Sequence, residues 1–359
     1  MTISNAKAII VQDWIQPNQL TVSPLPPSQI ECIDDQVLVE IKATGINFAD
    51  ILLVQGKYQV RPERPFVPGA EFAGVIVKAG SSVAGFKVGD RVFGSTPLGI
   101  GAFATHVSLT PTPLNLFVIP PTLSFKEAAG CYITYPTSWL GIVEKAKLQK
   151  GEVCLVHAAA GGVGSAAVQI AKQIGAVVIA TAGGPEKCQL VKSRLGADYV
   201  VDYTKGDWVK EVNEIANSIP GRTSSGVDVI YDPVGYFIQD TKCIGWNGRI
   251  LVVGFAGTGG RIEAVPANRL LLKSAAMIGV FWGASIINEP IVAERTWKGI
   301  FNFFETAKHN GKPVRPLLFD SKPYKGLESI PEALVDLGSR KTFGKVVVEI
   351  GNNSANVKL

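Results

Sequence analysis

Val153-Cys-Leu-Val-His-Ala-Ala-Ala-Gly-Gly-Val-Gly-Ser-Ala-Ala-Val-Gln-Ile-Ala171 decides the reading of this chain. A short apolar run of strand type enters a glycine turn, and the residues beyond it repeat with helical period. Val163, Ala166, Ala167, Ile170, Ala171 and Ile174 fall on one face of that helix, and Gly175 ends it. A phosphate bound at a helix start needs bare backbone N–H donors at the positive end of the dipole, and side chains would hold it away. Gly161 and Gly164, in the spacing Ala159-x-Gly161-x-x-Gly164, meet that need, with alanine in place of the first glycine of the usual fingerprint. Gly161, Gly162, Val163 and Gly164 are therefore the expected pyrophosphate seat.

Downstream, strand-type runs at Ala176–Thr181, Tyr199–Val201, Val227–Tyr231, Arg249–Gly254 and Ala275–Phe281 follow Val153–His157, mostly at intervals of about 20 to 30 residues that suit βαβ crossovers and a parallel sheet. Upstream, Ala6–Val11, Gln36–Ala43, Glu71–Lys78, Asp90–Phe93, Phe103–Leu109 and Leu116–Ile119 are short β-type runs separated by glycine and proline, the pattern of a mostly antiparallel domain. A helix-like stretch, Phe125–Lys147, joins the two regions. After helical stretches at Trp297–Lys308 and Pro331–Leu337, the strand Lys345–Ile350 falls outside the parallel rhythm and is assigned back to the first domain.

With 359 residues, 47% of them hydrophobic, the chain is expected to form two globular domains. No basic leader followed by an apolar run opens it, and no apolar stretch reaches membrane-spanning length, so a cytoplasmic protein is expected, with no membrane partner. The five cysteines are scattered and never in a Cys-x-x-Cys pair, which argues against a disulfide framework or a zinc knuckle. A formal charge of +5 without a basic block disfavours nucleic acid as a partner. The terminal Val357-Lys-Leu359 carries valine where a peroxisomal tripeptide carries a small residue.

A series of further motifs occurs in one order: Gly45-Ile-Asn-Phe-Ala-Asp50, Gln55-Gly-Lys-Tyr58, Pro68-Gly-Ala-Glu-Phe-Ala-Gly74, Val88-Gly-Asp-Arg-Val92, Asp232-Pro-Val-Gly235 and Phe343-Gly-Lys-Val-Val347. Together with the glycine turn they resemble the zinc-free, zeta-crystallin-like quinone oxidoreductase branch of the medium-chain dehydrogenase/reductase superfamily. The resemblance implies an α/β protein: a GroES-like β-rich catalytic domain, residues 1–131 and 286–359, plus a Rossmann doubly wound parallel-sheet nucleotide-binding domain, residues 132–285. It also implies a homodimer paired through edge strands near Ala275–Trp282.

Zinc-dependent members of the superfamily carry Cys where this chain has Asn47, and Gly-His-Glu where it has Gly69-Ala70-Glu71. Catalytic zinc needs three ligands from Cys, His or carboxylate, so no metal is expected. Without a metal to acidify a hydroxyl, reduction of a quinone or another α,β-unsaturated carbonyl is favoured over alcohol oxidation.

NADPH is the expected cofactor. An NAD site usually has a carboxylate after the second strand, whereas here Thr181-Ala-Gly-Gly184 leaves space and Lys187 follows to neutralise a 2′-phosphate. The resemblance adds Tyr203 at that phosphate, Thr137 near the nicotinamide, Gly254-Phe255-Ala256 and Val280-Phe281-Trp282 as cofactor loops at strand C-termini, and Lys345 from the returning strand. Asn47 is implied beside the nicotinamide, contacting a ribose hydroxyl or the substrate oxygen. Tyr58, a phenol in an apolar loop, is the first choice to touch both nicotinamide and acceptor. Asp50 and Glu71 read as capping or buried hydrogen-bonding groups, and His157 as a satisfied core histidine. Two other readings stand beside this one: an enoyl-thioester reductase, since Gln55-Gly-Lys-Tyr58 also resembles the tyrosine loop of such enzymes, and a non-catalytic NADPH-binding, RNA-associated protein. Acceptor size is expected to depend on the loops around Tyr58 and Leu98–Phe103.

Overall fold

A computed structural model describes residues 6–97, 99–222, 224–257 and 262–351. Leu98 and the terminal Val357–Leu359 lie outside the described residues. The chain divides into two compact units, one formed by Met1–Tyr132 with Leu318–Leu359, the other by Ile133–Leu317.

The first unit contains β1 (Lys7–Ile9), β2 (Val22–Pro24), β3 (Val37–Gly45), α1 (Phe48–Val54), β4 (Glu71–Ala79), β5 (Arg91–Ser95), β6 (His106–Leu109), β7 (Leu116–Val118) and α2 (Phe125–Ala129). In β3, Val37, Val39 and Ile41 join Phe72, Ile76, Val92, Val107 and Leu116 in one buried cluster. Period-two alternation supplies that face. The strand pairs antiparallel with both β4 and β6. Helix α1 begins where the Asp50 carboxylate accepts the Asn47 backbone N–H at 2.8 Å, the capping role expected for Asp50.

The second unit contains α3 (Thr134–Trp139), β8 (Val153–Val156), α4 (Gly162–Ile174), β9 (Val177–Ala182), α5 (Pro185–Leu190), β10 (Tyr199–Asp202), α6 (Trp208–Ser218), β11 (Val227–Asp232), α7 (Phe237–Cys243), β12 (Ile244–Val252), α8 (Ala267–Leu271), β13 (Ala276–Gly279), α9 (Trp282–Asn288), α10 (Pro290–Thr306), β14 (Lys308–His309) and β15 (Lys312–Pro313). Six strands form one parallel sheet in the order β10-β9-β8-β11-β12-β13. The order reverses direction between β8 and β11, the switch point at which such sheets bind ligands. All four residues of β8 are buried, as a strand covered on both faces requires. Helix α4 ends at Gly175, whose φ of 91° provides the left-handed C-terminal turn.

The chain returns to the first unit at Leu318 rather than at residue 286. The reason lies in α10: Phe304 packs 4.7 Å from Tyr135, and Trp139 covers Gly299, where an added Cβ would come within 2.3 Å of the indole. The aromatic face of α10 is thus spent on α3, inside the second unit. The returning segment supplies β16 (Tyr324–Lys325), α11 (Ile330–Gly338) and β17 (Val347–Glu349). β17 pairs antiparallel with β3, so the Lys345–Ile350 run does belong to the first unit's sheet.

Candidate functional site

The first cluster lies at the C-terminal edge of the parallel sheet. After β8 the chain turns at Ala158, which holds the left-handed φ of 47°, and the Gly161 N–H donates to the Ala158 carbonyl at 2.8 Å. Gly161 precedes α4 in extended conformation and offers no side chain to cap it. The first-turn amides of Gly162, Val163 and Gly164 are left without intrahelical acceptors by helix geometry alone. Gly164 has a second duty: a Cβ there would stand 2.3 Å from the Ala158 carbonyl oxygen, so only glycine lets the helix lie this close to the turn.

After β9, Gly183 is roofed by Tyr203, whose phenol oxygen lies 2.5 Å from where a Gly183 Cβ would be. Lys187 stands half-buried on α5. Asp202, at the end of β10, accepts from Gly184 N at 2.9 Å and from the Thr204 hydroxyl at 2.7 Å; these hydrogen bonds hold its carboxyl below the ordinary acidity range. Its position at the end of Tyr199-Val-Val-Asp202 was the available signal for this carboxylate, and the sequence reading passed over it.

The loop Gly254-Phe255-Ala256 follows β12 and leans on the loop after β11. Gly254 N donates to the Asp232 carbonyl, Ala256 N to that of Pro233, and Phe255 meets Phe237 edge-on at 5.7 Å. After β13, Val280 is buried and Phe281 is 52% exposed. Trp282 is buried edge-on against Trp297, 6.2 Å away, which makes it core support for the preceding two residues. The Thr137 hydroxyl donates to the Ile133 carbonyl at 2.7 Å, back along its own helix.

His157 is fully buried, bonded to Thr181 through Nδ1 and to Asp240 through Nε2, each at 2.9 Å. Burial pushes its pKa down to about 4, so the ring is neutral and structural.

The second cluster belongs to the first unit. Asn47 precedes α1, Glu71 opens β4, and Lys345 lies just before β17. The Lys345 ammonium is 2.6 Å from Glu71 Oε1 and donates to Asn47 Oδ1 at 2.6 Å, while Asn47 Nδ2 donates to Glu71 Oε1 at 2.9 Å. Asp50, 2% exposed, joins through the Asn47 backbone amide. Burial raises its pKa to about 7 against the lowering effect of the Asn47 hydrogen bond and the Lys345 charge. Tyr58 is half-buried among the residues packed on Ile46, Ile51 and Val54. Burial first, and the Asp50 charge second, raise its pKa, which keeps the phenol protonated. Asn47 and Lys345, read separately from the sequence, are direct neighbours, and Glu71 is the residue that unites them.

The alcohol dehydrogenase GroES-like domain family matches residues 33–118, and the zinc-binding dehydrogenase family matches residues 162–303. A quinone oxidoreductase-like protein 2 homolog from Nematostella vectensis is 39% identical over 315 residues, covering 87% of this chain and 81% of the relative. The quinone oxidoreductase of Pseudomonas syringae superposes with a TM-score of 0.81 at 29% identity, over 96% of this chain and 99% of that one. The Escherichia coli quinone oxidoreductase, solved with NADPH, has a TM-score of 0.79 at 26% identity, over 96% and 99%. The chain is an oxidoreductase of the medium-chain dehydrogenase/reductase superfamily. Within it, the chain belongs to the quinone oxidoreductase branch.

Proposed function

We propose that this protein is a zinc-independent, NADPH-dependent reductase that delivers hydride to quinones or other α,β-unsaturated carbonyls. The observation that carries the reading is the uncapped glycine start of α4 combined with a β9 terminus, Ala182-Gly-Gly184, that bears no carboxylate of its own. The amides of Gly162, Val163 and Gly164 would hold the pyrophosphate. Lys187 and the Tyr203 phenol beside Gly183 would receive the adenosine 2′-phosphate, since Asp202 already accepts from Gly184 and Thr204.

Gly254, Phe255, Ala256, Val280, Phe281 and Thr137 are the proposed remaining cofactor contacts of the second unit, with Trp282 bracing the strand end from behind. When bound, NADPH supplies the hydride. A quinone that takes up a hydride and one proton becomes the hydroquinone, so the protein must orient the acceptor and polarise its oxygen. Tyr58, protonated through the neutral range, is the proposed hydrogen-bond donor to that oxygen.

Zinc independence rests on the donors present. At the positions where zinc-dependent relatives carry Cys and His, this chain has an amide and a methyl group, and the remaining carboxylate of Glu71 is already bound by an ammonium. Catalytic zinc does not fit that set. A homodimer is proposed through the β13 edge, where the neighbouring Phe281, Ile287 and Trp246 side chains are exposed. No helix among the described residues is long and apolar enough to cross a membrane; a cytoplasmic location is proposed with it.

The test is NADPH oxidation by the purified, chelator-treated protein with phenanthrenequinone, benzoquinone, an alkenal and crotonyl-CoA in parallel. Turnover of a quinone or the alkenal is the expected result. Turnover of crotonyl-CoA alone would replace the reading with an enoyl-thioester reductase.

A further inference from the structure

We propose that Lys345 is a positioning residue for the reduction: paired with Glu71, its buried ammonium locks the Asn47 amide in one orientation. The inference rests on the proposed reductase activity for its kinetic consequence and on geometry for its substance.

The amide of Asn47 has two ends. Its oxygen accepts from Lys345 Nζ at 2.6 Å and its nitrogen donates to Glu71 Oε1 at 2.9 Å, so exchanging oxygen and nitrogen would set an NH2 against an ammonium and a carbonyl against a carboxylate. One rotamer satisfies both neighbours; the flipped one satisfies neither. Lys345 and Glu71 meet at 2.6 Å with side chains 5% and 0% exposed, out of reach of the water that would otherwise loosen such a pair.

The surrounding backbone is shaped for the pair. A Cβ on Gly45 would fall 2.7 Å from Glu71 Oε1 and 2.5 Å from the Ala129 carbonyl, and a Cβ on Gly130 would press on the Lys345 stem at 3.0 Å. Gly344, with φ of 57°, turns the chain immediately before the lysine, and the Lys345 carbonyl is held by Phe319 N at 2.9 Å. Three glycines thus clear or aim the space that two charged side chains occupy. This arrangement reassigns Lys345: its ammonium is committed to Asn47 and Glu71, so the sequence-based expectation of a direct cofactor contact is replaced by action through Asn47.

The experiment combines kinetics with a readout independent of turnover. Lys345→Met, Asn47→Ala and the Lys345→Met/Asn47→Ala double variant are compared for kcat, KM and NADPH Kd, with Lys345→Met/Glu71→Gln included because it removes both buried charges and keeps the fold neutral at this point. Lys345→Met is expected to lower kcat about a hundredfold with little change in NADPH Kd, and to add less than about threefold once Asn47 is alanine. In selectively 15N-labelled asparagine samples, the side-chain amide of Asn47 should exchange at least about tenfold faster in Lys345→Met, which keeps the Glu71 acceptor, than in the unaltered protein. A large rise in NADPH Kd with unchanged kcat, independent multiplicative effects of Lys345 and Asn47, or an unchanged Asn47 amide would each overturn the proposal. If no acceptor turns over with the unaltered protein, the reductase reading fails while the amide measurement still decides the positioning role.

Discussion

Lys345 and Glu71 form an ion pair of 2.6 Å that water does not reach, between the start of β4 and the chain just ahead of β17. The two strands are separated by β3, which pairs with both, so the contact ties the returning C-terminal segment to the sheet independently of the backbone ladder.

Breaking such a pair from one side leaves the other charge buried and uncompensated, which costs about 3–5 kcal/mol, whereas replacing both partners costs far less. Lys345→Met and Glu71→Gln should each lower the urea midpoint strongly, because each strands the buried charge of the other residue. The Lys345→Met/Glu71→Gln protein should recover most of the loss. Additive losses in the double variant would contradict the pairing.

Asp50 gives a pH signature. Its folded-state pKa is raised from 3.8 to about 7, so the folded chain keeps a proton that the unfolded chain releases from about pH 4 upward. Stability from this group is present below its unfolded pKa and is lost as pH rises through about 7. Buried His157, with its pKa lowered to about 4, acts in the opposite sense over part of that range, so the useful quantity is a difference. The unfolding free energy of the unaltered protein minus that of Asp50→Asn should fall by a few kcal/mol between about pH 4 and pH 7. A flat difference would show that Asp50 titrates normally.

At the dinucleotide seat, Gly164→Val would place its Cβ against the Ala158 carbonyl oxygen, which stands 2.3 Å from that position. The helix start must then retreat from the turn. NADPH Kd, followed by the fluorescence of the bound nucleotide, should rise more than about thirtyfold, the cost of misplaced phosphate donors.

Coenzyme choice is tested at Lys187. Lys187→Glu puts a carboxylate where a 2′-phosphate is expected, so kcat/KM with NADPH should drop at least about tenfold while the value with NADH holds or rises. Equal losses with both coenzymes would remove Lys187 from the phosphate site.

The parallel sheet was readable because its central strands are short runs of mostly buried residues with a helix-length interval, as Val153–Val156 and Val227–Asp232 show. The limit of the second unit was not, since the residues that hold α10 on α3, Phe303, Phe304 and Gly299, have the same apolar character as any core face and name no partner. The glycine turn was legible for a comparable reason: Gly164 answers a steric demand from a residue six positions away. The Asn47, Glu71 and Lys345 cluster was only half legible. Their motifs stood out one by one, but a hydrogen bond spanning 298 positions is set by the pairing of β17 with β3, which no local pattern records. Trp282 shows the converse, an aromatic at a strand end whose burial against Trp297 depends on a helix that follows it.

Hydride delivery from NADPH without a metal makes the reaction insensitive to chelation. Its most direct test is the rate of NADPH oxidation, read from the nucleotide's near-ultraviolet absorbance, with phenanthrenequinone before and after exhaustive chelation. The expected result is quinone-dependent oxidation at the same rate in both samples. A rate that vanishes on chelation and returns with added zinc, or no oxidation despite tight NADPH binding, would contradict it.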